Sequence, residues 1–148
     1  MRRYSITATD TNTAGTTQVG FTSTSAIRPA LYDLIISSVA TPADNAGEYF
    51  IQRHTAAGTS TAFTPVSLDP GDPASTATSG YNHSAEPTYT ANAIPLRVAV
   101  NQRNTLRWVS RDGSEIKAPA TAANGLSLLA NAIGGAAVAM DYTLLIAE

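Results

Sequence analysis

Apolar side chains recur at every second position along the last stretch of this chain. Val138, Met140, Tyr142, Leu144 and Ile146 alternate with Ala139, Asp141, Thr143, Leu145 and Ala147. A helix advances 100° per residue and would scatter that row around its circumference. A strand sends all five side chains to one face. The same rhythm sets Leu96, Val98 and Val100 against Arg97, Ala99 and Asn101, and Leu106 and Trp108 against Arg107 and Val109. Further strands are expected at Arg3–Thr9, Thr17–Thr22, Leu31–Val39, Glu48–His54, Thr61–Val66, Ser114–Lys117 and Gly125–Ala130. A helix over Thr121–Ile133 would have at most two turns between the Asn124-Gly125 break and the Gly134-Gly135 stop, so a strand is the better expectation there.

Turn residues fall between these stretches. Asp112-Gly113 predicts a tight hairpin between two of them. Pro29, Pro42, Pro65, Pro87, Pro95 and Pro119 stand at strand ends, where a missing amide donor removes nothing from a ladder. With 148 residues, the chain is long enough for one domain, able to bury roughly 15,000 Å² on folding. Short strands separated by turns predict an all-β, single-domain antiparallel β-sandwich or jelly roll over residues 1–148. Residues 1–26 form either an N-terminal arm or a first strand. Residues 68–86 lack an apolar face and predict a long surface loop, whose prolines suit it to reaching toward a neighbouring subunit.

Charged residues make up only 14% of the chain, and Thr, Ser, Asn and Gly supply most of the polar surface. The net charge of −2 leaves no basic footprint for nucleic acid. The absence of cysteine excludes disulfides, thiolate catalysis and cysteine-ligated zinc. No apolar run approaches the length of a membrane-spanning helix, and Tyr4–Asp10 is no signal-peptide core, so a soluble, mature chain is expected.

Motifs for catalysis are scarce. His54 and His83, the two histidines, have no partner at zinc-ligand spacing and are expected at the surface or hydrogen-bonded. No Gly-x-Ser-x-Gly elbow singles out a nucleophile, and no glycine-rich phosphate loop occurs. Asp69 and Asp72 share one turn without the further acids of an EF-hand loop, which leaves turn formation as their role. No enzyme, cofactor or metal is expected. The cations are more informative: eight of the nine are arginine. Arginine pairs in a planar, bidentate way and is enriched at protein interfaces where lysine is depleted. Arg97 and Arg107 point away from the apolar face of their strands.

Several segments carry a resemblance. They are Arg28-Pro29-Ala30-Leu31-Tyr32-Asp33-Leu34-Ile35, Thr41–Ala46, Ile51–Thr59, Ala85–Thr90, Asn101-Gln102-Arg103, Arg107-Trp108 and Pro119–Gly125. Together they resemble small virion proteins of tailed phages, cyanophages among them, of the capsid cement or decoration type. The likeness runs from about residue 27 to the C-terminus. It implies a trimeric β-rich knob on the capsid exterior, made in the host cytoplasm. Such a knob sits over junctions between major capsid subunits and locks the expanded shell. Its partners would be the major capsid protein and copies of itself, with neither nucleic acid nor membrane involved. Arg28, Tyr32, Arg97, Arg107, Tyr81 and Tyr89 are the candidate interface residues. The alternative is a carbohydrate- or receptor-binding β-module of a tail fibre, with Tyr81, Tyr89 and Trp108 as sugar platforms.

Overall fold

The computed structural model describes residues 1–24 and 26–148. Its described residues form thirteen strands and no helix: β1 Arg3–Thr11, β2 Thr16–Thr22, β3 Ala30–Ser38, β4 Ala46–Ala56, β5 Thr59–Phe63, β6 Val66–Ser67, β7 Thr78–Ala85, β8 Thr88–Tyr89, β9 Leu96–Asn101, β10 Leu106–Val109, β11 Ile116–Lys117, β12 Gly125–Ile133 and β13 Ala139–Ala147. Two antiparallel sheets face each other as a β-sandwich. The first has the order β10-β3-β13-β1-β6, with β11 also on β3. The second has the order β5-β7-β2-β12-β4-β8, with β9 also on β4.

The alternating residues fill the space between the sheets. Met140, Tyr142, Leu144 and Ile146 of β13 are fully buried beside Tyr4 and Ile6 of β1 and Leu31, Leu34 and Ile36 of β3. Opposite them lie Val19, Phe21, Tyr49, Ile51, Leu126 and Leu128 from the second sheet. Tyr49 meets Tyr142 edge-on, with ring centroids 6.2 Å apart, and takes a hydrogen bond from Asn12 Nδ2 at 3.0 Å. The pleat therefore leaves Ser5, Thr7, Ile35, Asp141, Thr143 and Leu145 on the outer face of the first sheet.

The structure decides one alternative and departs from two expectations. Of the two options for residues 1–26, the described residues take the strand: β1 pairs β13 along its whole length, and β2 lies between β7 and β12. Part of the expected loop 68–86 is strand β7, whose Gly80 and Tyr81 pair with Gly20 and Val19. Small and polar residues hid it, because its inward side needs to fill little volume. The second departure concerns Asp112-Gly113. Gly113 does take a positive φ of 79°, but β10 and β11 both pair with β3 and not with each other. The chain makes an excursion from one edge and returns to it, so no hairpin forms. The segment expected as a strand over Gly125–Ala130 extends to Ile133, and the helical option for it does not occur.

The second sheet coils. β5 continues β4 after only Ala57 and Gly58, yet pairs with β7, while β8 continues β7 and pairs with the end of β4. The two ends of the sheet therefore meet over the outer side of β2 and β12. Glycine makes room for that closure. Gly20 and Gly80 are directly paired, and a Cβ on Gly125 would overlap the Phe21 carbonyl. Gly58 turns the corner at φ 73°, tight against the Ala85 carbonyl.

Candidate functional site

Two places concentrate chemistry, one exposed and one buried. The exposed one lies on the outer face of the first sheet. A bulge in the β3–β13 ladder pairs Leu31 with Ile146 and Asp33 with Leu145, so Tyr32 is the extra residue between them. A bulge bends its strand and re-aims side chains. Here Tyr32 meets the Arg3 guanidinium, 5.3 Å from its ring centroid. Partial burial raises the Tyr32 hydroxyl above its ordinary pKa.

Beside it, Arg107 on β10 donates to both oxygens of Asp33, with Nη2 at 2.6 Å from Oδ2 and Nε at 3.1 Å from each oxygen. Asp33 is only 2% exposed, whereas the Arg107 side chain is 62% exposed. The arginine thus covers the carboxylate and leaves its own outer surface free. These residues line a hollow of about 420 Å³ with Arg3, Val109, Asp112 and Glu115. Hydrogen bonds from its own amide and from the Gly113 amide hold the Glu115 carboxyl below its usual range. Arg28 donates from Nε to the Ala118 carbonyl at 3.1 Å and lines an adjoining hollow, which shares Met1, Glu115 and Ala147 with the first. Val109 and Val66, 54% and 59% exposed, add apolar surface to the same face.

The structure therefore brings Arg28, Tyr32 and Arg107 to one side of the molecule. The other candidates lie elsewhere. Arg97 is on the outer side of the second sheet, stacked over Phe50 at 4.3 Å and 3.4 Å from Glu48. Tyr81 lines a groove of about 500 Å³ beside β1, with Thr7, Thr9, Phe63 and Asp141. Tyr89 is half-buried, its hydroxyl bonded to Thr17, and burial pushes its pKa up to about 12. Trp108 packs against the core.

The buried place is inside the coil of the second sheet. His54, 2% exposed, sits with Nδ1 2.9 Å from the Ser127 hydroxyl, and its Nε2 has no partner among the described residues. Thr17 bonds the Glu86 carboxylate from its amide and hydroxyl, closing the coil over β2. Burial, and then the nearby His83, lower the His54 pKa to about 4, so this imidazole is neutral near pH 7. Ser127 is fully buried and its hydroxyl meets no solvent. A pocket of only about 60 Å³ adjoins the pair.

His54 does alternate outward from Tyr49 and Ile51, as the sequence predicts, but the coil covers it. The signal for that cover was the set of glycines within three paired strands, Gly20, Gly80 and Gly125.

Among the described residues no group of three or more His, Asp or Glu is placed to hold a metal ion. Asp69 Oδ1 accepts from the Gly71 amide at 2.9 Å, and the Asp72 amide returns to the Asp69 carbonyl, so this pair shapes its turn. No protein-family model, curated protein or solved structure matches the chain.

Proposed function

We propose that this chain is a structural subunit of a phage virion, a homotrimeric cement or decoration protein on the capsid exterior. It binds the major capsid protein at junctions between subunits and stabilises the expanded shell. The observation that carries this reading is the outer face of the first sheet. There an uncovered surface joins Val66, Ile35, Leu145 and Val109 to the guanidinium groups of Arg3 and Arg107. Arginine beside apolar surface, with lysine nearly absent from the chain, is the composition of a protein contact. The resemblance carried by Arg28–Ile35 includes the first part of β3, which runs between β10 and β13 on this face.

A decoration protein occupies many equivalent sites. Modest energy at each contact is enough, because joining three copies turns the second and third contacts into intramolecular events. Co-sedimentation of the purified chain with expanded and with unexpanded shells of its major capsid protein tests the assignment. Saturable binding to expanded shells is expected, reduced at least tenfold by Val109→Asp. A chain that stays in the supernatant with both kinds of shell overturns it.

A further inference from the structure

Beyond the two residues paired with β6, strand β1 leaves an open edge on the first sheet. Arg2 exchanges hydrogen bonds with Glu148, and the Asn12 amide donates to Val138, so the even-numbered residues of β1 face β13. The odd-numbered residues face the other way. Arg3 and Ser5 are used there by Leu68 and by the two-residue strand β6. The main-chain N–H and C=O groups of Thr7 and Thr9 have no partner among the described residues, and both residues are exposed.

Strand β9 is open in the same way. The Gln102 amide donates to Asn45, so even-numbered residues of β9 face β4, and Arg97 and Ala99 turn their main-chain groups outward. Unpaired strand edges are templates for another strand, and proteins usually blunt them with lysine, proline or bulges. Thr7–Thr9 carries none of these, and Arg97–Ala99 carries a single charge, on Arg97.

We propose that β1 of one copy pairs antiparallel with β9 of a second copy, Thr7 and Thr9 opposite Ala99 and Arg97. This inference rests on the homo-oligomer proposed above and names its contact. The faces match over Thr7–Thr9 and Arg97–Ala99. Thr7 and Thr9 have side chains on the outer face, as do Arg97 and Ala99, so the pairing sets outward residues beside outward residues. Val98, half-buried in its own protomer, then falls opposite Ala8 and faces the groove lined by Phe63, Tyr81 and Tyr142, and the pairing ends at Ala99, before the stretch of β1 that β6 covers.

Charge agrees as well. Asp141 stands directly across from Thr9 on β13 and has no ion-pair partner among the described residues. Arg97, its side chain 62% exposed and held by Glu48 and Phe50 within its own protomer, arrives on the same face and there gains a second carboxylate neighbour. The contact joins two different surfaces, so it repeats head to tail until a ring closes, three copies in the assembly proposed.

Proline removes the outward N–H that the contact needs without touching the main-chain bonds each strand makes within its own protomer, and Thr9→Pro also loses the hydroxyl that donates to Asp141. Thr9→Pro and Ala99→Pro are each expected to give a monomer by analytical ultracentrifugation, where the native chain sediments as three copies. An equimolar mixture of the two should form a species of two copies, because the intact β1 edge of one meets the intact β9 edge of the other. That species also shows that both variants fold. If Thr9→Pro does not fold by circular dichroism, Thr7→Pro takes its place. Variants that remain trimeric overturn the strand contact while leaving the trimer itself standing. A monomeric native chain that still binds shells overturns the contact and leaves the decoration role.

Discussion

Acid should weaken this fold through His54, and the size of the effect follows from its burial. The imidazole is 2% exposed, with Ser127 on one side and an unpartnered Nε2 on the other. Protonation would place a cation where water cannot reach it. The groups facing it are His83, Tyr89, Ser127 and, through Thr17, Glu86. Burial lowers the His83 pKa too, so it acts in the same direction.

In the unfolded chain His54 takes up its proton near pH 6.5, and in the fold only at about pH 4. The unfolded state therefore binds more protons across that window. Stability is complete above pH 6.5 and falls as the pH drops toward 4. At ~1.4 kcal/mol per pH unit, the loss attributable to this side chain is about 3 kcal/mol. Urea unfolding of the native chain and of His54→Gln, at intervals from pH 7.5 to 4, measures it. The native chain should lose more stability than the variant over the window, and the difference should flatten below pH 4. Parallel curves would refute the claim that a neutral, buried imidazole underlies the loss.

Three other outcomes follow from single contacts. Arg107→Ala removes the two-pronged partner of the Asp33 carboxylate and should lower the midpoint of chemical denaturation measurably. The double variant with Asp33→Ala should be less destabilised than the sum of the two single variants, since the ion pair is counted once. Glu148 accepts hydrogen bonds from Ser75 Oγ at 2.6 Å, the Thr76 amide and hydroxyl at 3.1 Å and the Ala77 amide at 2.9 Å. Glu148→Ala should therefore speed amide exchange at Thr76 and Ala77 by about tenfold or more, with little change elsewhere. Gly125→Ala forces a methyl against the Phe21 carbonyl and His54, and should lower the midpoint of thermal unfolding by more than 10 °C, whereas Gly15→Asn, in open space at a positive φ, should leave it nearly unchanged.

The strands of the first sheet were readable because each buries one side and wets the other. Met140, Tyr142 and Leu144 face the core while Asp141 and Thr143 face out, and period two reports that division directly. Strands β7 and β8 were not readable for the converse reason. Ser79 and Gly80 occupy inward and paired positions with little side chain, so no apolar rhythm marks them. The coil of the second sheet depends on which strands pair, and pairing between β5 and β7 or β4 and β8 leaves no local trace. His54 could be placed on the right side of its strand but not under the cover that the coil provides.

The same distinction holds for the exposed site. Arg107 was legible as an outward cation. Its partner Asp33 was not, because the ladder that joins β10 to β3 spans 74 positions of sequence. The bulge at Tyr32, which turns that ring outward beneath Arg3, is a property of register and not of composition.

Calorimetry of the expanded shell, with and without the chain, tests its role most directly. Added chain should raise the melting temperature of the shell in a saturable way, and Val109→Asp should abolish the rise. An unchanged shell melting temperature at saturating chain would contradict the proposed role.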